Sequence, residues 1–252
     1  MRINLHCSAF LAAMCMTPPV MAQSLTGTVT AADTGEAMVG ATVLAIQRSA
    51  SVSQKPTIYQ SVVDSAGHFT VAASPGQYAV CVHPLPQSLY LDPCQWGSPI
   101  IVTVGEASST VPLTLLKGVR FIVRVHDLNR LFPQAETVTG TAVSASLASP
   151  SVKLFILPLV YSDSLIHDYG TVIPINVPMS VTVSSKTLLL ADKTGAPVPA
   201  SAMPFQVLPT DIEVTGAPQT PVTRMFPPPD ARMVHVYATG LTSAGSQLVV
   251  PK

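Results

Sequence analysis

Charge is scarce in this chain. It has 13 Lys+Arg and 13 Asp+Glu in 252 residues, or 10% charged, against roughly a quarter in an ordinary soluble domain. Disordered chains are charge-rich and poor in β-branched residues, so disorder is excluded as the dominant state. A formal net charge of zero with no basic stripe cannot neutralise phosphates, which excludes a nucleic-acid partner. No stretch shows a sustained helical period with caps, so helices are not expected. No later apolar run reaches the roughly 20 residues that span a bilayer. The best, Leu154 to Tyr161, contains Pro158 and reads as a buried strand. The G-x-S-x-G elbow, H-E-x-x-H, phosphate-cradling glycine loops and EF-hand loops are all missing.

The first 22 residues read as an address. Arg2 supplies a positive start, Leu5 to Met16 an apolar stretch, and Val20-Met21-Ala22 small residues before a cut. This predicts a secretory signal peptide cleaved between Ala22 and Gln23. A lipoprotein cut at Cys15 fits less well, because Met14 stands where a lipobox wants a small residue. The mature chain is then exported to the periplasm or beyond, with no transmembrane segment. Cys7 and Cys15 leave with the signal, and Cys81 and Cys94 remain. An even pair in an oxidising compartment predicts a disulfide. The rival reading is a metal pair or a reactive thiol, but two Cys without clustered His make a poor zinc site.

From Gln23 the chain runs in short β-rich segments punctuated by Gly, Pro, Asp and Ser. Candidate strands are Ser24–Ala31, Ala41–Arg48, Thr57–Val63, His68–Ala73, Tyr78–Val82, Ile100–Val104 and Val111–Leu116. Seven strands with turns between them predict a β-sandwich. Asp64-Ser65-Ala66-Gly67 is a turn by its chemistry, and Gly67 and Gly76 suit positive φ.

Within this segment Leu25-Thr26-Gly27-Thr28-Val29 and Gly40-Ala41-Thr42-Val43 open strands. Asp64-Ser65-Ala66-Gly67-His68-Phe69 and Pro75-Gly76-Gln77-Tyr78-Ala79-Val80 follow. The order G-x-V, G-A-x-V, D-x-x-G-x-F, P-G-x-Y resembles the carboxypeptidase regulatory-like domain, a transthyretin-like or prealbumin-like seven-stranded sandwich. The resemblance covers roughly residues 24–117. It implies an accessory fold without catalytic residues, with Phe69 and Tyr78 inward or half-buried.

Lys117-Gly118 is a plausible junction, which divides the mature chain into 23–117 and 118–252. The second part is again all-β, so the fold class expected is two tandem β-sandwiches. Its candidate strands are Val119–Val125, Val138–Leu147, Val152–Tyr161, Gly170–Asn176, Met179–Ser185, Leu188–Ala191, Phe205–Leu208, Arg232–Ala238 and Gln247–Val250. Pro158, Pro174 and Pro178 lie in or beside strands and predict edges or bulges. Ala217–Pro229 reads as an extended Pro-rich loop. The two parts share no motif.

No catalytic constellation, metal site or cofactor site is expected. His126-Asp127 and His167-Asp168 are adjacent pairs, and neighbours on a strand point to opposite faces. Each His is read as a surface or turn residue. The segment Pro84–Pro99 is the candidate binding loop, with Tyr90, Asp92, Gln95 and Trp96, the one Trp of the chain. Exposed rings there would stack on a sugar while Asp92 and Gln95 bond its hydroxyls. Alternatively, Trp96 packs over the disulfide and seals one end of the first sandwich. Loss of the disulfide is expected to loosen this loop without unfolding residues 119–252. The function expected is a non-enzymatic structural or interaction module at the cell envelope, with a protein or glycan partner. The alternative is a carbohydrate-binding module.

Overall fold

The computed structural model describes residues 23–48, 55–105, 107–207 and 232–243. The signal segment, the Ala217–Pro229 loop and the Gln247–Val250 strand lie outside them. The described chain is all-β, built as two sandwiches with two separate cores.

The first sandwich contains β1 (Ser24–Ala31), β2 (Thr42–Gln47), β3 (Ile58–Val62), β4 (His68–Ala72), β5 (Gly76–His83), β6 (Ile100–Val104) and β7 (Ser109–Leu115). All seven expected strands are present, within a few residues at their ends. They form one sheet in the order β4-β1-β7 and another in the order β3-β2-β5-β6. Strict alternation fills the space between them. Leu25, Val29, Val43, Ala45, Phe69, Val71, Tyr78, Val80 and Leu113 are all buried there. The predicted turn is made by Asp64, whose carbonyl accepts from Gly67 N–H at 3.0 Å. Its Oδ1 accepts from Ala66 N–H at 2.9 Å and His68 N–H at 2.8 Å. Gly67 sits at φ 85°, a conformation that disfavours other residues. Gly76 also has a positive φ, 158°, and is the first residue of β5. Gly27 is required for a different reason: a Cβ there would strike the Val111 carbonyl oxygen of the parallel neighbour β7.

The second sandwich contains β8 (Val119–His126), α1 (Phe132–Thr139), β9 (Ser144–Ala148), β10 (Phe155–Ile156), β11 (Leu159–Ser162), β12 (Ile166–Ile173), β13 (Met179–Ser184), β14 (Leu188–Ala191), β15 (Met203–Phe205) and β16 (Arg232–Leu241). Its sheets run β11-β12-β8-β16-β14 and β10-β9-β13-β15. Without β11 and β14, these orders repeat those of the first sandwich. β12-β8-β16 matches β4-β1-β7, and β10-β9-β13-β15 matches β3-β2-β5-β6. In both, the first and last strands of the sandwich pair in parallel. One topology is thus built twice from sequences that share no motif.

Four expectations in this half are corrected. Val138–Leu147 is not one strand, because Val138 belongs to α1 and pairing begins at Ser144. The short helix begins at a Pro in its first turn and stops at Gly140, φ 68°, an asymmetry that favours helix ends. Val152–Tyr161 is split at Pro158, where the chain leaves β10 in one sheet and enters β11 in the other. The segment is therefore not a buried strand: Leu154, Ile156, Leu159 and Val160 are exposed along two sheet edges. Gly170–Asn176 pairs earlier, over Ile166–Ile173. Pro174 and Pro178 lie just outside β12 and β13, both interior strands, so they mark strand ends and not edges.

Candidate functional site

Cys81 lies on the outward face of β5, because Tyr78, Val80 and Val82 occupy the inward positions. It is bonded to Cys94, with Cα atoms 5.3 Å apart, inside the expected range of about 4.4–6.8 Å. The bond anchors the Pro84–Pro99 loop at its base. Asp92 Oδ1 accepts from Cys94 N–H at 2.8 Å and Gln95 N–H at 3.4 Å. Its Oδ2 lies 3.0 Å from His83 Nε2. Asp92 thus shapes the turn that presents the next two residues.

Those two residues leave the first sandwich altogether. Trp96 is 7% exposed and belongs to the core of the second sandwich. Its ring lies 6.0 Å from that of Phe155, and its Nε1–H donates to the Val172 carbonyl at 3.1 Å. Gln95 Nε2 donates to Thr171 Oγ1 at 2.9 Å. Leu91 enters the same core. Gly97, at φ 76°, brings the loop against Ser151, where a Cβ would sit 3.0 Å from the Ser151 carbonyl oxygen. The loop is a clasp. Trp96 seals a sandwich as the structural reading required, but it seals the neighbour and not its own.

Tyr90 serves the same joint from the other side. Its hydroxyl donates to Asp33 Oδ1 at 2.7 Å, and Lys117 Nζ lies 3.4 Å from Asp33 Oδ2. The hydrogen bond from Tyr90 holds the Asp33 carboxyl below its ordinary range and in turn raises the phenol. Gly118 N–H donates to the Leu89 carbonyl at 2.7 Å. A Cβ on Gly118 would meet the Ile173 carbonyl oxygen at 2.5 Å and Leu91 Cδ2 at 2.7 Å. Only glycine fits between the two sandwiches there. The four loop residues are therefore gathered at one joint, but not as a platform. The indole has no open face on which a sugar could stack.

The second sandwich carries two polar clusters that were not foreseen. One lies on the outer face of the five-stranded sheet. Asp168, fully buried, accepts from Arg124 Nε at 2.8 Å and Nη2 at 2.7 Å. Beside this pair, His126 Nε2 and His235 Nδ1 share a hydrogen bond of 2.9 Å, and Tyr237 stacks on His126 at 4.5 Å. Burial lowers both imidazoles below the ordinary value, and each feels the Arg124 charge. The other cluster closes one end of the core. His167, expected at the surface, is buried and stacks on Phe132 of α1 at 3.6 Å. Its Nδ1 lies 2.7 Å from Ser162 Oγ. Asp127, fully buried, accepts from the N–H groups of Leu131 and Phe132 and so fixes the start of α1.

A cleft of about 270 Å³ opens here, lined by residues that include Arg130, Glu136, Asp163 and His167. Ser162 and His167 have the types of a nucleophile and base. However, no carboxylate orients the second ring nitrogen, and His167 Nε2 is buried without a partner. That nitrogen is where a catalytic dyad needs its third member. As alternation requires, neither adjacent His–Asp pair bonds internally. Among the described residues no group of three or more His, Cys, Asp and Glu could hold a metal. No helix among them is long and apolar enough to cross a membrane.

No family model matches the chain, and no curated protein matches it. Among solved structures, the chain is similar to the Bacillus anthracis TIE protein at 10% identity and a TM-score of 0.25, covering 86% of this chain and 34% of that one. It thus spans about a third of that protein's length. A DUF3823 family protein from Bacteroides ovatus is 14% identical over 73% of this chain and 99% of that chain, with a TM-score of 0.29. The shaft pilin SpaA from Lactobacillus rhamnosus GG is 8% identical over 87% and 98%, with a TM-score of 0.27. Likenesses at this level carry no information about activity or ligand.

Proposed function

We propose that the chain is an exported, non-enzymatic module of two coupled sandwiches that acts as a structural or interaction element at the bacterial cell envelope or outside the cell. The observation that carries this reading is the seat of Trp96. A disulfide-anchored loop of one sandwich completes the core of the next, which turns two units into one stiff body. Stiffness of this kind suits a spacer or a binding scaffold. The disulfide and the reading of residues 1–22 as a signal peptide both favour export. We take 23–117 and 118–252 as the two domains, with Gly118 at the joint. The first is of the carboxypeptidase regulatory-like kind, supported by the Asp64 turn and the buried Phe69 and Tyr78. The partner is a protein or a glycan held on a face other than the clasp. The carbohydrate-binding alternative through Pro84–Pro99 loses Trp96 as a stacking face and would rest on the half-buried Tyr90 alone.

Cell fractionation with intact mass of the exported chain tests the reading. It expects a disulfide-bonded chain starting at Gln23 in the periplasm or medium. Small-angle scattering of that chain should give one fixed shape. A cytoplasmic chain, a start at a lipidated Cys15, or hydrolytic turnover abolished by Ser162→Ala would overturn it.

A further inference from the structure

The free edge of β3 offers an interface that neither core uses. Among the described residues β3 pairs with β2 on one side only. The bonds from Val63 N–H to the Ala41 carbonyl and from Gln47 N–H to the Thr57 carbonyl fix which groups face β2. With the antiparallel register, the odd-numbered residues of β3 point their backbone groups at β2. Ile58, Gln60 and Val62 therefore turn theirs to the open side. Natural edges are blunted by charge, proline, bulges or shortness. β3 has none of these: it is five residues long, in regular register, with no charged residue between Lys55 and Asp64. Its counterpart in the second sandwich, β10, is only two residues long.

One row of the outward face behind this edge is apolar. The register places Ile58, Ile46, Ala79 and Ile101 in one row across the sheet. Ile58 and Val62 are 55% and 62% exposed.

We propose that this edge pairs with the same edge of a second copy of the chain, antiparallel about a twofold axis through Gln60. Ile58 then lies opposite the partner's Val62, and Gln60 opposite the partner's Gln60. Each copy contributes three N–H and three C=O groups that are otherwise left to water. Lys55 and Asp64 flank β3 at its two ends, so in the antiparallel pairing the Lys55 end of each copy meets the Asp64 end of its partner. This self-complementarity is what a twofold interface requires, and it selects a second copy over an unrelated strand. Two four-stranded sheets become one of eight strands, and the apolar row of each copy ends against the partner's Val62, so that Ile58 and Val62 cover one another at the seam. The pairing uses only groups of the first sandwich, so it stands or falls independently of the clasp.

Mass measurement by light scattering over a concentration series of the exported chain tests the pairing. The expected result is a dimer, and a monomer for Gln60→Lys, which places two like charges at the axis while touching no core residue. Paired residues of this kind lie about 5.5 Å apart at Cα, within disulfide range. Gln60→Cys should therefore cross-link into a dimer under oxidation, whereas Thr103→Cys on the opposite edge strand should not. A wild-type chain that stays monomeric throughout the series overturns the proposal. So does a dimer that survives Gln60→Lys and gives no cross-link with Gln60→Cys.

Discussion

The connection between the fifth and sixth strands of the shared topology is long in both sandwiches and is used in opposite directions. In the second sandwich it lies between β13 and β15 and supplies β14, which adds a strand beside β16 in the other sheet of the same sandwich. In the first it is Pro84–Pro99, which is pinned to its own β5 by a disulfide and then delivers Leu91 and Trp96 to the neighbouring core. Among the described residues the first core is correspondingly self-sufficient, formed by residues of its own strands, turns and loop. The second is completed from outside. The second also holds the buried polar groups, Asp127, His167, Asp168 and Thr187, whereas the buried core of the first is apolar. The same arrangement of strands thus yields one autonomous unit and one dependent unit. The dependence runs through one loop, whose largest contribution is the Trp96 indole.

The comparison can be broken most sharply at that indole. Trp96→Ala should destabilise the second sandwich by about 3–5 kcal/mol, the usual cost of emptying a large aromatic site. Amide exchange should show the loss in residues 119–207 and leave β1–β7 protected. Equal loss in both halves would mean that the first sandwich also depends on the clasp. Removing the anchor is the next largest change. Cys94→Ser should lower stability by about 2–4 kcal/mol. The loss should reach the second sandwich as well as the loop, because the freed loop carries Trp96. The seat of Trp96 thus extends the expectation from sequence, in which the loop loosens without unfolding residues 119–252. An unchanged denaturation midpoint would show that packing alone holds the loop.

Acid should separate the halves more gently. His126, His167 and His235 all lie in the second sandwich, and burial lowers all three. His126 faces His235, Arg124 and Asp168, while His235 also feels Lys193. His167 faces Asp127, Glu136, Asp163 and Asp168. A lowered His takes up its proton more readily in the unfolded chain. Stability is therefore full above the ordinary value of about 6.5 and falls as pH drops below it, levelling off once the folded groups also titrate. Melting curves from pH 7.5 to 5 should show the second sandwich weakening first. Replacing the three histidines with Gln should flatten that dependence. The smallest effect is expected at Tyr90→Phe, which removes the bond to Asp33 at the edge of the joint. It should leave both cores as stable as before, and a large loss would move the joint's main support from Trp96 to Tyr90.

Much of the first sandwich was legible because its turns announce themselves. Asp64 and Gly67 set a turn by local chemistry, and strict alternation on either side fixes which residues face inward. The second sandwich gave weaker signals. The split of Val152–Tyr161 could be read from Pro158, but its passage from one sheet to the other depends on distant partners. α1 carries a Pro at its start and Gly140 at its end, a signal that was present. Over eight residues, however, it has only two buried positions, Phe132 and Ala135, too few for a period to emerge. His167 is buried only because Phe132 of that helix lies over it. The Cys81–Cys94 bond followed from count and compartment. The destination of Trp96 could not, since nothing near position 96 specifies Phe155 or Val172 as its neighbours.

Hydrogen exchange followed by mass spectrometry, on the oxidised chain and on the same chain after reduction of Cys81–Cys94, tests the coupling most directly. The bond joins β5 of the first sandwich to the loop that follows it. Reduction should nevertheless speed exchange in the segments around Phe155 and around Thr171 and Val172, which hold the clasp. A change confined to residues 84–99, with those segments as protected as before, would contradict the account.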